Sequence, residues 1–216
     1  MKLTWLGHSC FKLEESTGTS VLADPYSSQT VGLDMVPSTC DVVTLSNKSM
    51  LNDGSLNKIL GDPQVMCQNG SLEYEGISIN GFAIKQKIKH KDDHNIIYTY
   101  RMDGVDICHL GSIKVEEDVK VIESIGYVNI LMIPIGGGKH SIDAQQAQQY
   151  IEMLMPNIVI PMQYRDKDID IDLDRLDEFL ELFPKSSVIY ADSDTMEFDR
   201  ADFEDDSTKI IIFEKK

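Results

Sequence analysis

Cys40-Asp41-Val42-Val43-Thr44-Leu45-Ser46-Asn47-Lys48-Ser49-Met50-Leu51-Asn52 is the stretch on which the fold turns. Asp41–Leu45 is a short apolar run rich in β-branched residues, the pattern of a strand buried on both faces. It runs directly into a polar loop, Ser46 to Asn52. Upstream, Lys2–Leu6, Ser9–Leu13 and Thr19–Ala23 read as short strands, with turns at Gly7 and at Ser16-Thr17-Gly18. Asp24-Pro25-Tyr26 ends the third. Downstream, Gln64–Cys67, Ser71–Tyr74, Ile77–Ile84, Ile96–Arg101 and Val105–Leu110 continue the series. Gln68-Asn69-Gly70, Glu75-Gly76 and Asp103-Gly104 supply turns between them.

The second half alternates. Glu116–Ser124 reads as a helix, Asn129–Pro134 as a buried strand, and Asp143–Met155 as a helix whose Ala144, Ala147, Ile151 and Leu154 form one apolar stripe. Asp143 is placed to cap or charge its first turn. Asn157–Pro161 (strand), Leu173–Phe183 (helix), Ser187–Tyr190 (strand) and Lys209–Glu214 (strand) complete the chain. Strands first, then β-α-β-α-β, predicts an α/β protein with two mixed sheets face to face and helices on their outer faces, an αββα sandwich. One domain spanning 1–216 is expected.

The 216 residues are 42% hydrophobic and 26% charged, with a net charge of −16. That acidity opposes nucleic-acid backbones and anionic membranes as partners. No segment approaches the roughly 18–20 apolar residues of a membrane span. The N-terminal run lacks the features of a signal peptide, so a cytoplasmic protein is expected. Cys10, Cys40, Cys67 and Cys108 are widely spaced and form no CxxC pair, so reduced, buried thiols are expected. The acidic run Asp166 to Asp174 lacks the glycine and terminal glutamate of an EF-hand loop and reads as an exposed loop entering a helix.

Several segments together resemble the metallo-β-lactamase superfamily, in particular its ascorbate-6-phosphate lactonase-like branch of metal-dependent hydrolases. They are Thr4-Trp5-Leu6-Gly7-His8-Ser9-Cys10-Phe11, Asp24-Pro25-Tyr26, Asp106-Ile107-Cys108-His109-Leu110-Gly111, Ile133-Pro134-Ile135-Gly136-Gly137 with Ser141-Ile142-Asp143-Ala144, and Ile158-Val159-Ile160-Pro161-Met162-Gln163-Tyr164. They occur in the family's order from residue 1 to about 164. The resemblance implies histidines and aspartates at strand ends holding one or two divalent metals, whose bound water becomes hydroxide near neutral pH.

Carried over residue by residue, the resemblance puts the four ligands of the first loop (His-x-His-x-Asp-His) on Asn47, Ser49, Leu51 and Asn52. It puts a later histidine near Gln86, the bridging aspartate on Ser112 and the last histidine on Gln163. Neutral amide and hydroxyl oxygens bind zinc or manganese far more weakly than imidazole or carboxylate, and Leu51 offers nothing. The resemblance therefore implies a degenerate, metal-free member whose former site is a polar pocket, with no cofactor expected. A binding, regulatory or assembly role follows, with a small-molecule ligand or a homo-oligomer as the partner.

Four residues are expected around that pocket. His8 sits in a turn at its mouth, either as a ligand contact or bonded to a backbone carbonyl. Asp24 is expected to bond amides of the Asn47–Asn52 loop. His109 lies beside the Ser112 slot. His140 follows the triple glycine, either exposed or reaching the pocket. A Cys-His or Ser-His nucleophile at Cys108, His109 and Ser112 meets the objection that adjacent strand residues face opposite ways. His90 and His94 have i, i+4 spacing but fall in a stretch read as a loop. The alternative function is an active zinc or manganese hydrolase of a lactone or phosphate ester, with ligands rebuilt from His90, His94, His109 and His140. A third is a purely structural interaction protein.

Overall fold

The first strands form an antiparallel meander: β1 (Lys2–Gly7), β2 (Cys10–Glu14) and β3 (Ser20–Ala23). The computed structural model describes residues 1–88, 91–114, 119–204 and 207–214. After α1 (Ser28–Val31) come β4 (Ser38–Thr39), β5 (Val42–Thr44), β6 (Ile59–Leu60) and β7 (Gln64–Met66). β5 lies parallel between β3 and β7, while β4 and β6 pair separately. A second meander follows: β8 (Gly70–Tyr74), β9 (Ile77–Ile88), β10 (Lys91–Met102) and β11 (Val105–His109).

The chain then turns to parallel crossovers. α2 (Val119–Ile125) leads to β12 (Ile130–Pro134), and α3 (Ala144–Leu154) leads to β13 (Ile158–Met162). α4 (Leu176–Leu180), β14 (Val188–Tyr190), β15 (Thr195–Glu197) and β16 (Lys209–Ile212) follow. Among the described residues one sheet has the order β15-β1-β2-β3-β5-β7 and the other β14-β16-β13-β12-β11-β10-β9-β8. Among the described residues no helix is long and apolar enough to cross a membrane.

Three apolar clusters explain the layering. Phe11, Leu13 and Val42 from the first sheet meet Tyr98, Ile107 and Ile130 from the second, so the sheets pack face to face. On the second sheet's outer face Leu131 and Val159 pack against Ala147, Tyr150, Ile151 and Leu154 of α3. On the first sheet's outer face Val43 and Leu45 pack with Val31, Leu33 and Met35. Val42 and Val43 thus enter opposite clusters, and all three residues of β5 are buried. This is why the opening stretch carries no polar alternation: apolar layers cover the strand on both sides. The expected αββα arrangement is observed.

α3 begins as its sequence directs. Asp143 accepts the Gln146 N–H at 2.9 Å, and the Gln146 side chain accepts the Asp143 N–H at 3.1 Å, a reciprocal capping box.

Other expectations are corrected. β9 and β10 extend to Ile88 and back to Lys91, four residues past the predicted end and five before the predicted start. Antiparallel pairing uses backbone groups, so the polar run that ended the apolar pattern still completes the ladder. His94 therefore lies in a strand, paired opposite Lys85, and not in a loop; His90 lies outside the described residues. α4 covers Leu176–Leu180 and not 173–183. Asp174 is already committed, donating its N–H to Gly136 O at 2.8 Å and accepting from Arg165 N at 2.8 Å. α2 starts at Val119, with 116–118 outside the described residues. β15 had no signal in its polar sequence, and its pairing with β1 supplies the order. Cys40 and Cys67 are half-buried, whereas Cys10 and Cys108 are buried.

Candidate functional site

A cavity of about 200 Å³ opens where strands end. His8 follows β1, Asp24 follows β3, Asn47 and Ser49 follow β5, Ser112 follows β11, and Gln163 follows β13; all line it. Ligand sites of open α/β sheets lie at such carboxyl ends. Three of the six non-glycine residues with positive φ among the described residues are here: His8 (52°), Asp24 (45°) and Gln163 (55°). Left-handed backbone at such residues costs on the order of 1 kcal/mol each and persists where the surroundings over-determine it.

Ser112 is the hub of the floor. Its N–H donates to Asn95 Oδ1 at 2.9 Å, its carbonyl accepts from Gln86 Nε2 at 3.3 Å, and its Oγ accepts from Gln163 Nε2 at 2.8 Å. Gln86 Oε1 also accepts the Lys114 N–H. Asn95 closes the ring by donating to Leu110 O at 2.8 Å. Gly111 makes this possible: at φ 63° it lets the chain turn, and a Cβ there would sit 2.5 Å from Asn95 Oδ1 and from Ser46 Cβ.

Asp24 anchors the loop after β5. It is buried, with Oδ1 accepting from Ser46 N at 2.7 Å and Oδ2 from Ser46 Oγ at 2.6 Å. The expected loop contact thus falls on Ser46, one residue before Asn47. Burial raises the Asp24 pKa, opposed by His109 and by the Ser46 bonds. Asn47 caps the following 3-10 turn, its Oδ1 accepting from Ser49 N at 2.9 Å, and its Nδ2 donates to His94 O at 3.3 Å.

The seven positions carried over from the resemblance divide. Asn47, Ser49, Ser112 and Gln163 line the cavity. Gln86 is buried beneath Ser112 and does not line it. Leu51 (44% exposed) and Asn52 face solvent at the end of the 3-10 turn, so they do not belong to the pocket. Asp53, Ser55, Ser27 and Thr30 line the cavity and were not anticipated. Their one signal was closeness in sequence to Asp24 and to the loop.

The second group behaves differently from its simplest readings. His8 lines the cavity, and its Nδ1 is a buried side-chain atom without a hydrogen-bond partner, so it bonds no carbonyl through that nitrogen. His140 also lines the cavity and is not a fully exposed turn residue. His109 is buried below it: Nε2–H donates to Ser9 O at 2.9 Å, and Nδ1 accepts from Gly111 N at 3.1 Å. Both ring nitrogens are committed, so His109 is no base for Ser112. Cys108 points into the outer-face cluster, and burial pushes its thiol well up. No nucleophile pair forms at this strand end.

His8 carries a pH dependence. Burial, with a smaller contribution from His140, lowers its pKa to about 4 from the ordinary 6.5. The unfolded chain therefore takes up this proton as pH falls below about 6.5, while the folded chain resists it until about pH 4. Stability is expected to fall across that window by at most about 3 kcal/mol and then level off. Urea midpoints measured at pH 7 and 4.5 check this, and His8→Asn should flatten the slope; equal slopes in both proteins would contradict it.

Among the described residues no three His, Cys, Asp or Glu side chains group as a metal site requires. The lining's imidazoles (His8, His140) and carboxylates (Asp24, Asp53) do not come together in a group of three, and Asp24 and Asp53 already hold Ser46 and Ser55, so this donor set does not fit a zinc or manganese ion.

Comparison with known proteins places this geometry. A family profile described as a beta-lactamase superfamily domain matches residues 2–163. A UPF0173 metal-dependent hydrolase of Koribacter versatilis is 25% identical over 201 residues, covering 76% of this chain and 84% of its own. One from Methanosphaerula palustris is 27% identical over 210 residues, covering 84% and 92%. A Thermotoga maritima structure assigned to the Zn-dependent hydrolases of the metallo-β-lactamase superfamily aligns over 99% of both chains, with TM-score 0.80 and 26% identity. The short form of human tRNase Z shares the fold at TM-score 0.54 and 10% identity, over 77% of this chain and 93% of its own. The chain belongs to the metallo-β-lactamase superfamily, alongside relatives named UPF0173 metal-dependent hydrolases.

Proposed function

We propose that this chain is a metal-free member of the superfamily, in the ascorbate-6-phosphate lactonase-like branch, whose former metal site binds a small polar molecule. The observation that carries the reading is the Ser112 hub. Three amide side chains, from Asn95, Gln86 and Gln163, satisfy its backbone and hydroxyl groups. Gln86, Ser112 and Gln163 are positions the resemblance assigns to ligands, and here they bond one another in place of a shared ion. Convergent histidines and carboxylates without a metal would carry a large desolvation cost; neutral amides carry a smaller one, offset here by their mutual hydrogen bonds.

The test is metal content. Protein purified without chelator is expected to hold well below one equivalent of zinc, manganese or iron per chain. One equivalent or more that resists dialysis and is lost in Gln163→Ala would overturn the reading.

A second reading is favoured by the relatives' names: hydrolysis with ligands rebuilt from His90, His94, His109 and His140. His109 weighs against it, because both its nitrogens are already bonded. Chelator-sensitive hydrolysis abolished by His140→Ala would favour it.

A further inference from the structure

His8 lines the cavity, and its Nδ1 is the one buried side-chain nitrogen or oxygen without a hydrogen-bond partner among the described residues. Such an atom costs free energy until a bound molecule completes it. The rest of the residue is pinned. Its carbonyl accepts from Trp5 Nε1 at 3.2 Å and from Gln163 N at 3.4 Å, and its ring meets Tyr26 edge-on, with centroids 6.1 Å apart. Tyr26 is itself fixed, donating its hydroxyl to Leu6 O at 2.8 Å.

Two hydroxyls stand in the same lining. Ser27 is buried at the start of α1 and makes no side-chain capping bond to it. Ser112 Oγ accepts from Gln163 Nε2, which leaves its own proton to donate. Charge selects against ions of either sign. An anion would face the Asp24 and Asp53 carboxylates, in a chain of net charge −16. A cation would find those carboxylates already engaged by Ser46 and Ser55, with Lys114 in the same lining. Burial lowers the pKa of both His8 and His140, so the imidazoles add no positive charge near neutral pH.

We propose that the cavity binds a small neutral polyol, whose hydroxyls bond His8 Nδ1, Ser27 Oγ and Ser112 Oγ. The proposal rests on the metal-free reading above and names its ligand class. A hydroxyl both donates and accepts, so adjacent hydroxyls match two serines and an imidazole nitrogen in either tautomer. A carboxylate or phosphate oxygen only accepts, and an ammonium only donates. The volume of about 200 Å³ is below the roughly 300–1,000 Å³ of pockets for drug-sized ligands, so a polyol of about three to five carbons is the fitting size.

Saturation-transfer NMR titrations of the full chain test this, with glycerol and xylitol as neutral probes and acetate and ethylammonium as charged ones. Saturable binding of at least one polyol is expected, tighter than that of either charged probe. His8→Phe keeps a ring against Tyr26 and removes the nitrogens; Ser27→Ala removes a hydroxyl that caps nothing. Each is expected to weaken polyol binding about fivefold, the loss of one hydrogen bond. Leu51→Ala, at an exposed side chain outside the cavity, is expected to leave it unchanged. Circular dichroism confirms that the variants fold; if one does not, the other carries the test. No saturable polyol binding, binding unchanged in the folded variants, or tighter binding of acetate or ethylammonium would overturn the polyol assignment while leaving the metal-free reading intact. Uptake of one equivalent of zinc that resists dialysis would instead overturn the reading on which it rests.

Discussion

Asp24→Ala is expected to destabilise the protein by about 4 kcal/mol, among the largest effects of any single substitution at the site. The carboxylate is buried and accepts from both the Ser46 N–H and the Ser46 hydroxyl. Hydrogen bonds to a charged group contribute about 1.5–3 kcal/mol each, and the stranded Ser46 N–H adds a desolvation cost. Ser46 is itself 1% exposed, so water cannot readily replace the lost acceptor. Alanine at φ 45° adds on the order of 1 kcal/mol of backbone strain. Against these stands relief of the burial that raises the Asp24 pKa.

Asp24→Asn separates the contributions. Asparagine tolerates the left-handed backbone and keeps an acceptor for Ser46 N, so a loss of about 1 kcal/mol is expected. A group whose folded pKa is raised stabilises most below its unfolded pKa, and that contribution is lost as pH rises through the folded value. The Asn variant should therefore lack this part of the pH dependence. Urea denaturation with an unchanged m-value checks both variants. An alanine loss below about 1 kcal/mol would show that Ser46 finds another acceptor and that Asp24 does not hold the loop.

The layering was legible in the sequence because it follows from burial. Val42 and Val43 point into different cores, and a short β-branched run covered on both sides accounts for their being adjacent and apolar. The capping box at Asp143 and Gln146 is equally local. What the sequence concealed was set by distant backbone pairing. β15 is ordered by β1, and the polar ends of β9 and β10 are ordered by each other.

The site shows the same division. Of the four positions the resemblance assigns to this loop, Asn47 and Ser49 line the cavity and Leu51 and Asn52 do not, because a 3-10 turn over Lys48–Leu51 swings the later pair to solvent. Asp53 and Ser55 enter the lining in their place. Asn95 was not anticipated: it sits in a strand, and only the Gly111 turn brings Ser112 to it. Local rules gave the elements, and long-range contacts decided which of their ends meet.

The four positions carried over from the resemblance that line the cavity allow the largest change to be predicted. The variant Asn47→His, Ser49→His, Ser112→Asp, Gln163→His is expected to bind one zinc about a thousandfold or more tighter than the parent. Four imidazole or carboxylate ligands make a closed tetrahedral set, whereas the parent offers neutral oxygens in the same places. Zinc at about a hundredfold its dissociation constant should raise stability by about 2.7 kcal/mol in the variant and leave the parent unchanged. Cobalt substitution should give the visible absorption of a tetrahedral site. Leu51→Asp with Asn52→His is the control: both side chains lie outside the cavity, so adding them to the parent should confer no zinc affinity. A folded quadruple variant with parental zinc affinity would mean that these residues do not stand where ligands once met. Zinc binding by the control pair alone would mean that the loop after β5 can refold around an ion, and that metal, not the amide network, selects its conformation.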